Sequence, residues 1–162
     1  MAATTITYSV AGGTLFSLTE DTTHNVELSG VRCLWAAPAG EQYMVTVNPA
    51  TGGKPVFIHD CYFEEDGGSS HLILYSQVNR GVVWNCSFLS YPFSMAGSAF
   101  KIAHDDATSW STPSTMGAND TTGTKNFYIE DCDFHAFLNA MDVDNNSRTV
   151  VRYTLFNNAG NT

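Results

Sequence analysis

The stretch VFIHDCYF, residues 56 to 63, sets a histidine, an aspartate and a cysteine side by side, and its frame returns as GVVWNCSF at 81 to 88 and FYIEDCDF at 127 to 134. Aligned on Cys-x-Phe, the three copies superpose Val56, Ile58, Asp60, Cys61 and Phe63 on Gly81, Val83, Asn85, Cys86 and Phe88, and on Phe127, Ile129, Asp131, Cys132 and Phe134. Two further copies keep the frame with other residues: Val26, Leu28, Gly30, Val31 and Cys33, then Thr149, Val151, Tyr153, Thr154 and Phe156. A site repeated five times is a structural repeat, because a site is needed once and a core column is needed in every layer.

Between the copies lie strand-like runs, YMVTV at 43 to 47, HLILY at 71 to 75, AFKIA at 99 to 103 and AMDVD at 140 to 144. Each unit therefore holds two or three short strands. Cys33, Phe63, Phe88, Phe134 and Phe156 follow one another at spacings of 30, 25, 46 and 22 residues. The long interval is one ordinary unit plus an excursion over 104 to 125. Thr, Ser, Asn, Gly, Val, Phe and Tyr dominate the composition, and no stretch carries an apolar period of 3.6 through three turns, so strands and turns are expected throughout.

The repeat of apolar, any, apolar, any, Asn or Asp, small, any, Phe resembles that of the right-handed parallel β-helix of pectate-lyase-like proteins and phage tailspikes, over roughly residues 24 to 158. The resemblance implies an all-β, single-stranded, right-handed parallel β-helix of about five coils of 22 to 30 residues. Residues 1 to 23 would form an N-terminal strand or cap segment and 24 to 162 the β-helix domain. Its last copy, ending TLFNNAGNT, is expected to leave an open core layer, covered by a longer chain or by a neighbouring subunit in a homo-oligomer such as a trimer.

In such a coil each position stacks on its counterpart one layer away, at ~4.8 Å. Alternation then turns the columns of residues 56, 58, 61 and 63 inward. Cys61, Cys86 and Cys132 share a buried stack that ends in Val31 and Thr154, neither of which is a zinc ligand, so thiols serving as small hydrophobes are expected and no metal. Cys33 falls in the phenylalanine column, and four free thiols are expected. The Asp60, Asn85 and Asp131 column suits a left-handed corner.

Function is sought on what remains outside the core. The outer face of the first strand run carries Phe57, Val82, Tyr128 and Val150 in one column and His59, Trp84, Glu130 and Arg152 in the next, after Ser29. Flat aromatics beside a carboxylate, a guanidinium and an imidazole suit stacking on sugar rings and hydrogen bonding to their hydroxyls. Trp84, Tyr128, Trp110, His59 and Arg152 are the expected sugar-binding set, with Trp110 closing over from the excursion. Glu130 and Arg152 stand in adjacent layers as a ladder ion pair. The same face would suit a subunit contact or a covering loop.

For catalysis, His-Asp-Asp at 104 to 106 resembles the paired aspartates of polygalacturonase-like hydrolases, which nominates Asp105, Asp106 and Glu130. The Asn-Thr-Asp, Gly-His-Gly and Arg-Ile-Lys motifs that accompany that pair in the family are absent, as are the basic-plus-proline motifs of pectate lyases. Asp142 and Asp144 point to one outer face ~6.8 Å apart. Lys101 aligns one layer below Asp142, so a surface pair is expected there. Asp142, Asp144 and Asn146 also resemble the start of a calcium loop, without the glycine or distal glutamate that would complete one.

Seven basic residues against sixteen acidic ones, a formal charge of −9, disfavour nucleic acid and anionic lipid as partners. No apolar run reaches the ~18 to 20 residues of a helical membrane span, and residues 1 to 16 lack the basic segment and apolar core of a secretory leader. The expected function is a glycan-binding β-helix domain of a tailspike-like or virion surface protein, without cofactor, on the virion or outside the cell. The alternatives are a polysaccharide lyase or glycoside hydrolase of the pectate-lyase-like class, and a structural spacer.

Overall fold

A computed structural model describes residues 4–8, 14–36, 42–48, 50, 53–66, 71–76, 81–91, 98–103, 126–137, 139–144 and 149–157. The repeat frame is two strands, not one, joined at a corner. Val56–His59 runs straight into Asp60, whose φ of 55° turns the chain, and Tyr62–Asp66 sets off in a new direction. The equivalent residues repeat the turn, with φ of 68° at Gly30, 51° at Asn85, 48° at Asp131 and 54° at Tyr153. Gly, Asn and Asp tolerate this left-handed region better than other residues, which is why the column selects them. Backbone pairing continues through the corner, Asp60 N–H to Trp84 O at 3.3 Å and Asn85 N–H to Glu130 O at 3.2 Å.

Three strands therefore follow one another in each pass of the pattern: β1 (Thr4–Tyr8), β2 (Thr14–Thr19), β3 (Val26–Ser29); β4 (Val31–Ala36), β5 (Gln42–Asn48), β6 (Val56–His59); β7 (Tyr62–Asp66), β8 (His71–Ser76), β9 (Gly81–Trp84). They continue with β10 (Ser87–Tyr91), β11 (Ser98–Ala103), β12 (Phe127–Glu130); β13 (Asp133–His135), β14 (Asn139–Asp144), β15 (Thr149–Arg152); and β16 (Leu155–Asn157). Every third strand is a neighbour. The first sheet is ordered β1-β4-β7-β10-β13-β16, the second β2-β5-β8-β11-β14 and the third β3-β6-β9-β12-β15. All pairs are parallel, and the described residues contain no helix. Strands before residue 24 share these sheets, β1 on β4 and β2 on β5.

The register reproduces the columns. Val26, Val56, Gly81, Phe127 and Thr149 align in the third sheet, as do Leu28, Ile58, Val83, Ile129 and Val151. Val56, Ile58, Cys61 and Phe63 are all buried, so alternation assigned their faces correctly. Phe63, Phe88, Phe134 and Phe156 stack nearly parallel, with centroids 5.3, 4.9 and 5.1 Å apart, and Phe100 from the second sheet meets Phe88 edge-on at 4.7 Å. Gly81 stands where its neighbours carry side chains because Phe127 fills the space; a Cβ there would lie 2.9 Å from the Phe127 ring and from the Val56 carbonyl.

All four cysteines are free and buried. Cys61, Cys86 and Cys132 each turn Sγ toward the carbonyl two residues back, at 3.0, 3.2 and 3.1 Å, and Thr154 makes the same contact through Oγ1 at 2.9 Å. That shared bond explains how the column accepts either residue. In the last layer the columns reach solvent: Val151, Leu155 and Phe156 are 37, 54 and 49% exposed.

Candidate functional site

The outer face of the third sheet and the corner beside it gather the polar and aromatic side chains. His59, Trp84, Glu130 and Arg152 occupy successive layers, as the frame requires. His59 stacks on Trp84 with centroids 4.1 Å apart and planes 11° from parallel, and Phe57 meets the indole edge-on at 5.9 Å. One face of the indole is thus covered by the imidazole.

His59 is also gripped at both nitrogens. Nδ1 lies 2.7 Å from Asp60 Oδ2, and Nε2 lies 3.0 Å from Glu27 Oε1. Two acceptors on one ring suit the doubly protonated form. Burial of the ring favours the neutral form, but the hydrogen bonds and charges of Asp60 and Glu27 outweigh it and hold its pKa above the usual histidine value. The Asp60 carboxyl is held below its usual range, chiefly by the His59 hydrogen bond and then by Asn85, whose amide donates to Asp60 Oδ1. An imidazolium lying on an indole face adds a cation–π contact.

Further along the ladder Arg152 donates Nε to Glu130 Oε1 at 3.0 Å and adds a second bond from Nη2. Its guanidinium also sits 5.5 Å from the Tyr128 ring centroid. The predicted Glu130–Arg152 pair is present, and it commits Glu130 to a cation; proton donation to a leaving group would require breaking that pair. Asp105, Asp106 and Trp110 lie outside the described residues. Lys101 and Asp142 form the expected surface pair at 3.3 Å. The Asp144 side chain and Asn146 also fall outside the described set.

Across the corner, on the outer face of the first sheet, a second cluster appears that the column analysis passed over. Arg32 lies over the Tyr62 ring at 4.9 Å and 3.7 Å from Glu64, and Tyr62 donates its hydroxyl to Glu64 at 3.1 Å. Between the clusters runs an open groove of about 540 Å³, lined by Val31, Arg32, Asp60, Cys61, Tyr62 and Asn85. No family model matches the chain, no curated protein is similar to it, and no solved structure matches it. Its chemistry is therefore read from its own geometry. Among the described residues no three or more His, Cys, Asp or Glu side chains are arranged to hold a metal ion.

Glu27 and Asp60 are the partners that column logic missed. Glu27 aligns with Phe57, so its contact with His59 is diagonal, two positions off the direct register. The signal was available, since a long carboxylate reaches a diagonal neighbour as readily as a direct one.

Proposed function

We propose that this chain is a single right-handed parallel β-helix of the pectate-lyase-like, tailspike-like kind, and that its outer surface binds glycan as a domain of a virion or other extracellular surface protein. The winding is supported by the neighbouring of every third strand in three parallel sheets, together with the strong right-handed preference of parallel crossovers. The glycan reading is carried by one observation: the outer face of the third sheet holds His59, Trp84, Tyr128, Glu130 and Arg152, aromatic rings beside fixed donors and acceptors. Sugars are recognised by that combination, apolar C–H patches against aromatics and hydroxyls against charged hydrogen-bonding groups. Fold alone carries no activity, so lyase or hydrolase chemistry stays an alternative, tested by reducing-end and unsaturated-uronate assays on a polysaccharide panel.

A spacer role is the second reading, favoured by the way the outer groups satisfy one another: His59 with Glu27 and Asp60, Arg152 with Glu130, Lys101 with Asp142. A glycan panel screened by saturation-transfer NMR separates the two. On the binding reading Trp84→Ala weakens a hit by ~1 to 3 kcal/mol without changing oligomeric state. If Trp84→Ala instead dissociates an oligomer and leaves glycan binding untouched, the face is a subunit contact and the spacer reading stands.

A further inference from the structure

The corner groove lies between the His59–Trp84 ladder and the Arg32–Tyr62–Glu64 cluster. Gly30, Asp60, Asn85 and Asp131 are the successive corner residues, and an added Cβ at Gly30 would meet no atom within 4 Å. Asp60 is engaged by Asn85 from the following layer and by His59 from its own, while the corner residue of the preceding layer, Gly30, has no side chain. The carboxylate is thus pinned in orientation and ionisation, yet about half exposed, and Asp60 lines the groove together with Arg32.

The lining brings opposite hydrogen-bonding groups together. Val31 and Cys61 belong to it at the corner, while their side chains pack inward against the core. Asp60 and the Asn85 carbonyl supply acceptors, and the half-exposed Arg32 supplies donors in a planar fork. Tyr62 offers a ring beside them, one face under the guanidinium. A fixed carboxylate opposite a guanidinium matches two adjacent hydroxyls, each of which donates once and accepts once. The local cations are already balanced, Arg32 by Glu64 at 3.7 Å and His59 by Glu27 and Asp60, within a chain of formal charge −9. An anionic sugar would therefore meet the Asp60 carboxylate with no spare positive charge.

We infer that this groove is a binding subsite for the vicinal diol of a neutral pyranose, with Asp60 and Arg32 reading the hydroxyls beside the Tyr62 ring. The inference rests on the glycan reading above and narrows it to a place and a sugar class. The groove is a different place from the Trp84 ladder, joined to it through the Asp60–His59 contact.

The test uses the full chain, titrated by ligand-observed NMR with methyl glycosides of galactose, mannose and glucose and with the matching uronates. A neutral glycoside should bind, and its uronate should bind about tenfold or more weakly, the scale of one charged hydrogen bond lost. Asp60→Asn keeps a residue type that the corner accepts and should weaken the neutral ligand by about tenfold. Arg32→Gln should also weaken the neutral ligand by about tenfold while leaving the thermal midpoint nearly in place, because Arg32 is half exposed. Neutral binding indifferent to both variants, or uronate bound as tightly as the neutral sugar, overturns the groove and leaves the glycan reading standing. Silence from every sugar, with the fold intact, removes both.

Discussion

Ser90 donates its hydroxyl to Glu65 Oε1 at 2.8 Å across neighbouring strands of the first sheet, and both residues are buried, 1% exposed each. Trp35 is aligned with Glu65 on the other side. The second carboxyl oxygen of Glu65 has no hydrogen-bond partner. A carboxylate there lacks the bonds that offset desolvation, and burial pushes the group up to about 7 against the single bond from Ser90.

The fold should accordingly gain stability in acid from this residue. Below pH ~4.5 the carboxyl is protonated in both folded and unfolded chains and contributes nothing. Between there and about 7 the unfolded chain releases a proton that the folded chain keeps, so stability falls as pH rises. Above that window the loss is complete, at about 3 kcal/mol. Urea unfolding at a series of pH values should show this slope in the wild type and a flatter one in Glu65→Gln; equal slopes would mean that the buried carboxyl is not the titrating group.

His59 moves stability with pH in the same direction, because its protonated form is favoured in the fold. Its folded pKa is raised by Asp60 and Glu27, so its stabilisation is fully present below ~6.5 and is lost as pH climbs through the higher folded value. Because the ring lies on Trp84 at 4.1 Å, protonated imidazole should quench indole fluorescence, and emission should rise through the same transition. Glu27→Gln should move that midpoint down. An unmoved midpoint would show that the 3.0 Å contact carries no charge coupling in solution.

Position along the phenylalanine stack should decide the cost of truncation. Phe88 is fully buried and touches Phe63, Phe134 and Phe100, so Phe88→Ala should destabilise by about 3 to 5 kcal/mol. Phe156 stacks on Phe134 alone among these and is 49% exposed, so Phe156→Ala should cost clearly less. Denaturation midpoints of the two variants give the comparison, and equal costs would indicate that the last layer is covered in solution.

The thiols should be replaceable and quiet. Cys86→Val should cost less than about 1.5 kcal/mol, since the same column holds Val31 and the bond lost is one weak S–H contact of 3.2 Å. Burial pushes Cys33 up to about 12, so a chromogenic disulfide reagent should not label it until the chain unfolds. Rapid native labelling of Cys33, or insoluble Cys86→Val, would contradict the packing described.

Much of this was legible from period and alternation alone. The inward columns, the left-handed corner at Asp60, Asn85 and Asp131, the buried free cysteines, and the axial pairs Glu130–Arg152 and Lys101–Asp142 all follow once five copies are aligned. Each is a contact between identical positions one layer apart, and the spacing of parallel strands makes such contacts obligatory. The corner also marks the alternation, since the inward positions change parity from 56 and 58 to 61 and 63 across Asp60.

What tertiary structure decided lies off those axes. His59 meets Glu27 diagonally, across a register offset that depends on strand twist and side-chain length. Arg32 reaches over Tyr62, and the groove gathers Arg32, Asp60, Tyr62 and Asn85 from both sides of the corner. Glu65 sits in the run YFEED, whose charge reads as a solvated edge, yet it shares parity with Phe63 and is carried inside with it. Alternation in a strand is set by backbone geometry and ignores charge, so burying Phe63 turned Glu65 inward, and its neighbours Trp35 and Ser90 determined how it would be held there.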